Sequence, residues 1–452
     1  MKTFWKVKVE KLGKIDTADI NITPLTMFVG DNNSGKSYLM TLIYTLLNIR
    51  WYSEGFDLCK ESNEYALCEK WIEQGFAKDD NSETEIELTK EIQLQFQNLL
   101  NLIISRNLSK ISQRGFNADV KIGKVTIEFT NIGSRRFVRF GKEHSEDQQK
   151  ERYSFRFLDD KRGRESTSIA YIFAPRSDLA ISLILENLLK GSTQRRLLND
   201  ACYLPASRTG FLLNYRAIVN ASLSDAYDQE QIKMEGLTRP CSDFLKNLAR
   251  LSPNKESNRN EEIVRFIEQE LLHGNVRALS DTPQSSFIYH SNETGDNYPM
   301  YLSSGVITEL APLMLLLKYW EFETMFIEEP EISLHPKLQQ MMARVMIRLS
   351  NKECLLFVTT HSDTILQHIN NMIKLNKLEP DKREQLMKSF GYNEQDLLSY
   401  DKVSMYQFDV SDQGRTTITQ LSCGPYGFEV PSFNSALQRL LDETYRFEGD
   451  AE

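Results

Sequence analysis

The 452-residue sequence lacks several features that would place it in a specialised class of protein. Its six cysteines include no C-x-x-C pair, so their spacing predicts neither a zinc ribbon nor a thioredoxin-type redox motif. No stretch approaches about 18 consecutive apolar residues, and the N-terminus has no apolar run followed by small residues. We therefore expect a cytoplasmic protein without a secretory signal or a membrane partner.

The sequence also lacks an excess of positive charge. Lys and Arg together number 54 against 63 for Asp and Glu, which gives a net charge of −9. This balance argues against a protein that coats nucleic acid through its global charge, but it leaves direct DNA binding by a local basic groove open. Sustained heptads are absent too, which argues against a long coiled coil.

Hydrophobic periodicity predicts an α/β fold. Phe4–Val9 and Ala18–Ile22 alternate with period two, which predicts a small antiparallel sheet. The continuous apolar run Leu25–Val29 predicts a strand buried in a parallel sheet, and Ser37–Asn48 predicts a buried helix after it. A strand, a helix and a strand follow one another again, as in a parallel sheet, at Thr324–Ile327, Lys337–Leu349 and Cys354–Thr359.

The segment between Trp51 and Pro299 has a mixed pattern. Polar segments that begin at Gly141 and Ser252 predict linkers or hairpin tips. The predicted helices of this segment are Glu87–Ser105, Asp178–Leu189 and Glu261–Leu272, and its predicted strands are Val125–Phe129, Arg136–Phe140 and Tyr153–Phe157. For the end of the chain the predicted elements are a hairpin of Ser404–Phe408 with Thr416–Thr419, and a last helix over Asn434–Tyr445.

A glycine-rich loop lies between the predicted strand and helix near the N-terminus. It reads GDNNSGKS and satisfies the pattern G-x-x-x-x-G-K-[S/T] in the structural context that this motif requires. Backbone N–H groups and the helix N-terminus would bind the β- and γ-phosphates of ATP, Lys36 would add a positive charge, and Ser37 would ligate Mg²⁺. The predicted ATP-binding residues of the loop are Gly30, Asp31, Asn32, Asn33, Ser34, Gly35, Lys36 and Ser37.

An acidic pair follows a second apolar strand. Glu328 occupies the position of a carboxylate that associates with Mg²⁺, and Glu329 is placed to polarise the attacking water. Glutamate reaches one methylene further than the commoner aspartate, so the predicted contact of Glu328 with the metal is through water. The alternative is a pair of surface glutamates at a strand end.

Two further motifs narrow the kind of nucleotide site. Ser303, Ser304 and Gly305 open an apolar helix and predict a second anion site at its N-terminus, unless the serines are an ordinary helix cap. His361 closes the strand after Glu329, where its side chain would hydrogen-bond a γ-phosphate; alternatively it is a core histidine. The order and spacing of the motifs favour the functional interpretation of both.

Together these segments resemble the ABC class of ATPases, within the branch that includes the overcoming-lysogenization-defect (OLD) proteins and SMC-like ATPases. The residues that carry the resemblance read GDNNSGKS, YLSSG, FIEEPEISLHP and TTHS, with YLPASR from Tyr203 as a weaker likeness. The resemblance implies head-to-tail pairing of two copies, or a larger homo-oligomer. It further implies that Ser303, Ser304 and Gly305 act in trans, that Ser333–Pro336 crosses the interface, and that His361 is the switch histidine.

The implied fold class is α/β: an ABC-type P-loop ATPase head, a mixed sheet flanked by helices with N-terminal antiparallel strands, carrying a large inserted mixed α+β arm. The predicted division is the N-terminal part of the head at 1–58, the arm at 59–200 and its continuation at 201–300. The C-terminal part of the head follows at 301–374, and a closing hairpin and helix at 375–452. OLD-type nucleases continue into a domain with a D-x-D pair, which the last 78 residues do not contain; we predict no intrinsic nuclease.

Our main hypothesis is an ATP-hydrolysing switch or sensor subunit of a bacterial anti-phage system that controls a separately encoded effector such as a nuclease. The head resembles the ATPases of the Septu, PARIS and retron-associated systems. The alternative is an SMC-like DNA repair or recombination ATPase that clamps DNA directly. Two further hypotheses are a transporter ATPase and a non-catalytic nucleotide-binding scaffold. The scaffold is included because Glu328 stands where such ATPases usually have aspartate.

Overall fold

A computed structural model of the chain divides into two compact units. Unit 1 holds Pro24–Thr41 and Cys202–Glu452, and unit 2 holds Lys2–Thr23 and Leu42–Ala201. The five-part division predicted from the sequence stays a prediction. The structure describes residues 4–49, 56–76, 83–130, 136–144, 151–159, 164–172, 177–190, 201–224, 236–251, 257–279, 286–424, 427–431 and 441–447.

The strands follow one another along the chain as β1 (Trp5–Leu12), β2 (Ile15–Ile22), β3 (Leu25–Gly30), β4 (Thr84–Glu87), β5 (Ile122–Phe129), β6 (Arg136–His144), β7 (Glu151–Asp159), β8 (Arg164–Ile172), β9 (Cys202–Leu204), β10 (Gly274–Leu279), β11 (Ser286–Ser291), β12 (Asn297–Pro299), β13 (Thr324–Glu328), β14 (Leu355–Thr359), β15 (Val403–Val410), β16 (Thr416–Leu421), β17 (Cys423–Gly424) and β18 (Gly427–Phe428).

The α-helices are α1 (Lys36–Leu47), α2 (Asn63–Phe76), α3 (Lys90–Arg106), α4 (Leu108–Phe116), α5 (Ser177–Lys190), α6 (Arg208–Ser224), α7 (Arg239–Ala249), α8 (Glu261–Ile267), α9 (Gly305–Tyr319), α10 (Pro336–Asn351), α11 (Asp363–Asn376) and α12 (Pro380–Phe390). A further helical segment covers residues 441–447.

The sheet of unit 1 runs in the order β16-β15-β3-β14-β13-β9. The neighbours from β15 to β9 all pair in parallel, and β16 is antiparallel to β15. All six residues of β3 are buried, as are all five of β13 and all five of β14. This complete burial explains why the three strands read as continuous apolar runs, since a parallel sheet is covered on both faces.

The core of unit 1 joins one face of this sheet to the helices that follow its strands. Met27, Ile327 and Val358 from the strands belong to one buried cluster with side chains of α9, α10 and α11. Helix α9 is buried along nearly its whole length, because every residue from Thr308 to Tyr319 is buried. The predicted fold class is confirmed in this unit: a mixed sheet is flanked by helices.

Unit 2 contains the N-terminal antiparallel strands and the inserted α+β region. Strands β1 and β2 form a hairpin with Trp5 opposite Ile22, and β5 pairs antiparallel with the other edge of β1. A second antiparallel sheet has the order β4-β6-β7-β8. The antiparallel pairing of the two N-terminal strands confirms the sequence prediction.

Several predicted boundaries are wrong for local reasons. The helix predicted from Glu87 begins at Lys90, because Thr89 caps it by accepting the Ile92 N–H at 3.4 Å while residues 84–87 form β4. The polar segment from Gly141 connects β6 and β7, which pair antiparallel as in the predicted hairpin, but its two ends belong to these strands. The helix predicted over Glu261–Leu272 becomes π-helical from Glu268. Residues 252–256 and 434–440, which fall in the predicted Ser252 linker and last helix, lie outside the described residues.

Candidate nucleotide site

The sequence motifs meet at one edge of the unit 1 sheet. Strands β3, β14, β13 and β9 are parallel, so the residues that follow their carboxyl ends lie along the same edge. The glycine-rich loop follows β3, His361 follows β14, Glu329 follows β13, and the segment from Pro205 follows β9. In open α/β sheets such an edge is where ligands bind.

The glycine-rich loop has a backbone that its residue types make possible. Gly30 has φ of +118°, and a Cβ at this position would lie 2.2 Å from the Phe408 carbonyl oxygen. Gly35 has φ of +94°, and Asn33 adopts the left-handed conformation at +56° that asparagine tolerates. Successive N–H groups in such turns form a concave anion site, which the N-terminus of α1 reinforces.

Lys36 lies folded against this loop. Its ammonium donates to the carbonyl oxygens of Gly30, at 3.1 Å, and Asp31, and to the Ser34 hydroxyl at 3.2 Å. Burial lowers the pKa of Lys36 to about 8, although the nearby carboxylates, Glu329 first, oppose this shift. The ammonium is therefore held at the anion site, where phosphate oxygens would exchange with its present acceptors.

Strands β15 and β16 form hydrogen bonds to the glycine-rich loop. The Asp31 N–H donates to the Phe408 carbonyl at 3.2 Å, and the Thr416 hydroxyl donates to the Ser34 carbonyl at 2.8 Å. Thr416 is buried. The C-terminal hairpin thus fixes the position of the loop, a role that the sequence analysis did not assign to it.

Glu329 stands in a strained backbone conformation at the end of β13. Its φ is +44°, which costs about 1–3 kcal/mol for a residue other than glycine. Two hydrogen bonds hold the backbone in this conformation: the Glu329 N–H donates to the carbonyl oxygen of Thr359 at 2.9 Å and to the Thr359 hydroxyl at 3.3 Å. The half-exposed carboxylate of Glu329 lies near enough to Lys36 to oppose the fall in the pKa of that lysine, consistent with the role of a base.

His361 lies beside the same carboxylate. Its Nε2 is 4.0 Å from Glu329 Oε1. Burial is the main cause that lowers the pKa of His361, and the positive charge of Lys36 adds to it, so the imidazole is neutral at pH 7. The structure thus brings together Lys36, Glu329 and His361, three residues that are far apart in the sequence.

Glu328 is more enclosed than its neighbour. Its Oε2 accepts the Ala206 N–H at 3.1 Å, and the buried Tyr203 hydroxyl bonds to the same side chain. With the exposed Ser37 hydroxyl at the start of α1, Glu328 supplies the hard oxygen donors that Mg²⁺ prefers. These residue types fit a Mg²⁺ that keeps several waters. No group of three or more His, Cys, Asp or Glu side chains suited to a metal occurs among the described residues.

A third glutamate of the acidic segment, Glu331, fixes the loop that carries the histidine. Its two carboxylate oxygens accept the His361 N–H at 2.6 Å and the Thr360 hydroxyl at 2.9 Å. Burial raises the pKa of Glu331, and these hydrogen bonds oppose the shift. The sequence analysis quoted this residue within its motif but assigned it no function.

The serines of the signature loop, Tyr301–Gly305, make their hydrogen bonds within their own segment. Ser303 Oγ donates to the Pro299 carbonyl at 3.2 Å, and Ser304 caps α9 by accepting the Ile307 N–H at 3.5 Å. A Cβ at Gly305 would lie 3.9 Å from Ser333 of the loop after β13. Their assignment to a nucleotide site therefore stays a prediction.

Arg208 is the other functional candidate that the sequence analysis missed. It is the first residue of α6, it is buried, and it donates to the carbonyl oxygens of Glu328 at 2.7 Å and Glu329 at 3.1 Å. The only sequence signal was its place in YLPASR, the weaker likeness. A single sequence cannot show which carbonyl groups an arginine reaches.

The fold and the site define a P-loop ATPase: a glycine-rich loop with its lysine opens the helix after a buried parallel strand, and an acidic pair ends a neighbouring strand. A family of AAA ATPase domains matches residues 4–366. The chain belongs to this family, and the match spans both the glycine-rich loop and His361.

Comparison with solved structures gives similar heads at low identity. An SMC head bound to the C-terminal winged-helix domain of ScpA has 12% identity and a TM-score of 0.38, covering 92% of this chain and 97% of that one. The SMC head domain from Thermotoga maritima has 13% identity and a TM-score of 0.33, covering 92% and 98%. An SMC head with an extended coiled coil, bound to the C-terminal domain of ScpA from Pyrococcus furiosus, has 12% identity and a TM-score of 0.35, covering 97% and 98%.

Among curated proteins, none matches the sequence significantly. Within the described residues, no helix combines the length and the apolar character that crossing a membrane requires.

Proposed function

We propose that the chain binds and hydrolyses ATP with Mg²⁺ and acts as the switch subunit of a bacterial anti-phage complex that controls a separately encoded effector, such as a nuclease. The observation that carries the ATPase part is the convergence of Lys36, Glu329 and His361 beside the glycine-rich loop, with Glu329 Oε1 4.0 Å from His361 Nε2. The defence role is supported by the resemblance of the motifs to Septu, PARIS and retron-associated ATPases.

Each residue has a chemical task in this proposal. The loop N–H groups and Lys36 bind the β- and γ-phosphates, and Glu329 accepts the proton of the attacking water. The neutral His361 donates a hydrogen bond to the γ-phosphate and responds to its loss. Ser37 and Glu328, the latter through water, would hold Mg²⁺, which neutralises charge on the phosphate oxygens.

The proposal includes pairing of two copies head to tail. In such a pair Ser303, Ser304 and Gly305 of one copy contact the nucleotide held by the other. The exposure of two apolar side chains supports an interface at this loop. Tyr301 and Leu302, just before Ser303, are 73% and 65% exposed. Exposed large apolar side chains next to a predicted anion site are suited to burial against a partner.

The first experiment expresses tagged Glu329→Gln protein together with the genes beside its own, and measures the mass and composition of the recovered complex. A homo-oligomer with a bound nuclease supports the switch function and identifies the effector. The tagged protein with Lys36→Ala is the matched control, because loss of ATP binding should abolish the assembled state.

Two outcomes would contradict parts of the proposal. If the Glu329→Gln protein is recovered as a dimer without an effector, and DNA accelerates ATP hydrolysis by the wild-type protein, the SMC-like clamp is favoured. Tight ATP binding without measurable turnover by wild-type protein would favour a non-catalytic nucleotide-binding scaffold and refute the assignment of Glu329 as base.

A further inference from the structure

A buried arginine connects the acidic end of β13 to the helix that follows the signature loop. The guanidinium of Arg208 donates through Nη1 to the Glu328 carbonyl at 2.7 Å and through Nη2 to the Glu329 carbonyl at 3.1 Å. Nη1 also reaches the Pro205 carbonyl, at 3.2 Å, beyond the end of β9. Arg208 is only 4% exposed, so its guanidinium lies in the interior.

The other side of the same guanidinium faces α9. Nη2 forms an ion pair with the Glu309 carboxylate, and Nε donates to the Glu309 carbonyl at 3.4 Å. Glu309 is 2% exposed and lies in the second turn of α9, four residues after Gly305. The Thr209 hydroxyl donates to Glu309 Oε2, while Oε1 lies in the ion pair with Arg208 and accepts no hydrogen bond from the described residues.

The geometry of this connection is rigid. The guanidinium is planar and its donors have fixed directions, so a shift of α9 relative to β13 must lengthen or break some of its bonds. The backbone at Glu329 is already strained at φ of +44°, and the Glu329 carbonyl is one of the groups to which Arg208 donates. The direction of the Glu329 carboxylate therefore depends on the position of Arg208 and, through it, on α9.

We propose that Arg208 is a positioning residue that transmits the position of α9 to Glu329, so that engagement of a head's signature loop by a second copy accelerates hydrolysis of that head's own ATP. This inference rests on the proposed function, because it requires head-to-tail pairing. It adds a route within one chain by which the two nucleotide sites of a pair influence each other.

The same unit offers a matched control in another buried arginine. Arg344 of α10 is 6% exposed and pairs with Asp396, which is fully buried, through bonds of 3.2 and 2.8 Å. It also donates to the Gly391 carbonyl at 3.0 Å. Arg344 thus resembles Arg208 in burial and in pairing, but its bonds run to the segment after α12 and to Met341 of its own helix, and not to the acidic end of β13.

The test compares Arg208→Gln, Glu309→Gln and the control Arg344→Gln in the full-length protein. ATP turnover is measured against ATP concentration, nucleotide binding with a fluorescent ATP analogue, and folding by thermal unfolding. Glu309→Gln keeps the size and shape of the side chain, so it remains informative where Arg208→Gln fails to fold.

We expect Arg208→Gln and Glu309→Gln to lower kcat by about 100-fold while the affinity for the analogue changes by less than about threefold, since misplacement of a catalytic group affects the chemical step. The Hill coefficient of turnover should fall to that of independent sites. Arg344→Gln should lower the unfolding temperature but keep kcat and the Hill coefficient near the wild-type values.

Equal loss of kcat in all three variants, or wild-type kcat and cooperativity in a folded Glu309→Gln protein, would overturn the inference and leave the proposed ATPase function intact. Absence of turnover in the wild-type protein would refute the proposed function, and the inference with it.

Discussion

The carboxylate of Glu331 accepts the backbone N–H of His361 at 2.6 Å. This bond joins the loop after β13 to the loop after β14, so the acidic segment that supplies Glu329 also fixes the backbone that carries the histidine. The second oxygen of Glu331 accepts the Thr360 hydroxyl at 2.9 Å, so Glu331 holds the two residues that precede Ser362, the N-cap of helix α11. The side chain of one glutamate, two residues beyond the predicted base Glu329, thus holds the backbone of His361, the predicted switch histidine.

Glu331→Gln should loosen the histidine while ATP binding is retained. Glutamine keeps one accepting oxygen and places an NH₂ group against the second donor, so one buried hydrogen bond is lost at a cost of about 1–3 kcal/mol. A loss of this size in the transition state corresponds to a fall in kcat of about fivefold to 150-fold. Steady-state ATP turnover together with equilibrium binding of an ATP analogue measures the two effects separately.

Glu384→Gln is the matched control, because Glu384 is exposed on α12. It should change neither kcat nor stability. An unchanged kcat in Glu331→Gln, or a loss confined to ATP affinity, would show that Glu331 does not position His361.

The sequence predicted the parts of the site that short motifs encode. The loop from Gly30 to Ser37 is recognisable because its glycines meet local requirements: φ is positive at Gly30 and Gly35, and a side chain at Gly30 would collide with Phe408. The strand ends that carry Glu329 and His361 were predictable because buried parallel strands read as apolar runs.

The sequence did not predict the residues whose roles depend on distant contacts. Arg208 donates to carbonyl groups 120 and 121 residues away, and the Thr416 hydroxyl donates to the Ser34 carbonyl across 382 positions. Every residue carries a backbone carbonyl whatever its side chain, so no sequence motif indicates which carbonyl accepts such a bond. Helix α6 was not predicted, because its apolar residues lack the regular spacing of an amphipathic surface helix.

The affinity for ATP should fall as the pH rises through about 8, because burial lowers the pKa of Lys36 to about 8. Below that pH the lysine is charged before ATP binds, and binding requires no proton uptake. Above it the phosphates must recruit a proton to the amine, since their negative charge favours the ammonium form. The expected fall is at most about tenfold per pH unit, measured by titration with a fluorescent ATP analogue.

Lys36→Arg is the control for this titration, because the guanidinium stays charged throughout the range. Its affinity should be weaker, since the longer side chain fits the loop less well, but independent of pH between about 7.5 and 9.5. An equal pH dependence in both proteins would assign the effect to another group.

Glu329→Gln should bind ATP normally and accumulate as a closed dimer. The amide cannot accept the proton of the attacking water, and loss of a general base lowers kcat by about 10²–10⁴-fold. Side-chain size is unchanged and the backbone bonds of Glu329 to Thr359 do not involve the carboxylate, so the fold should be retained. Turnover and light scattering with and without ATP give the result; wild-type turnover would show that another residue is the base.

The pair Tyr301 and Leu302 should determine whether that dimer forms. Both side chains are largely exposed and directly precede Ser303, whereas the helix behind them is buried from Thr308 onward. Burial of two such side chains against a partner contributes about 2–4 kcal/mol. In the Glu329→Gln background with ATP, replacing both by serine should therefore raise the dimer Kd by about 30-fold to 1,000-fold, as measured by sedimentation.

Phe390→Ser in the same background is the control, because Phe390 is also 66% exposed but lies at the end of α12. It should leave the dimer Kd unchanged, which separates loss of a specific contact from a general loss of exposed apolar surface. A dimer of unchanged stability after replacement of Tyr301 and Leu302 would remove the signature loop from the interface. It would also remove the trans contact on which the assignment of Ser303 and Ser304 depends.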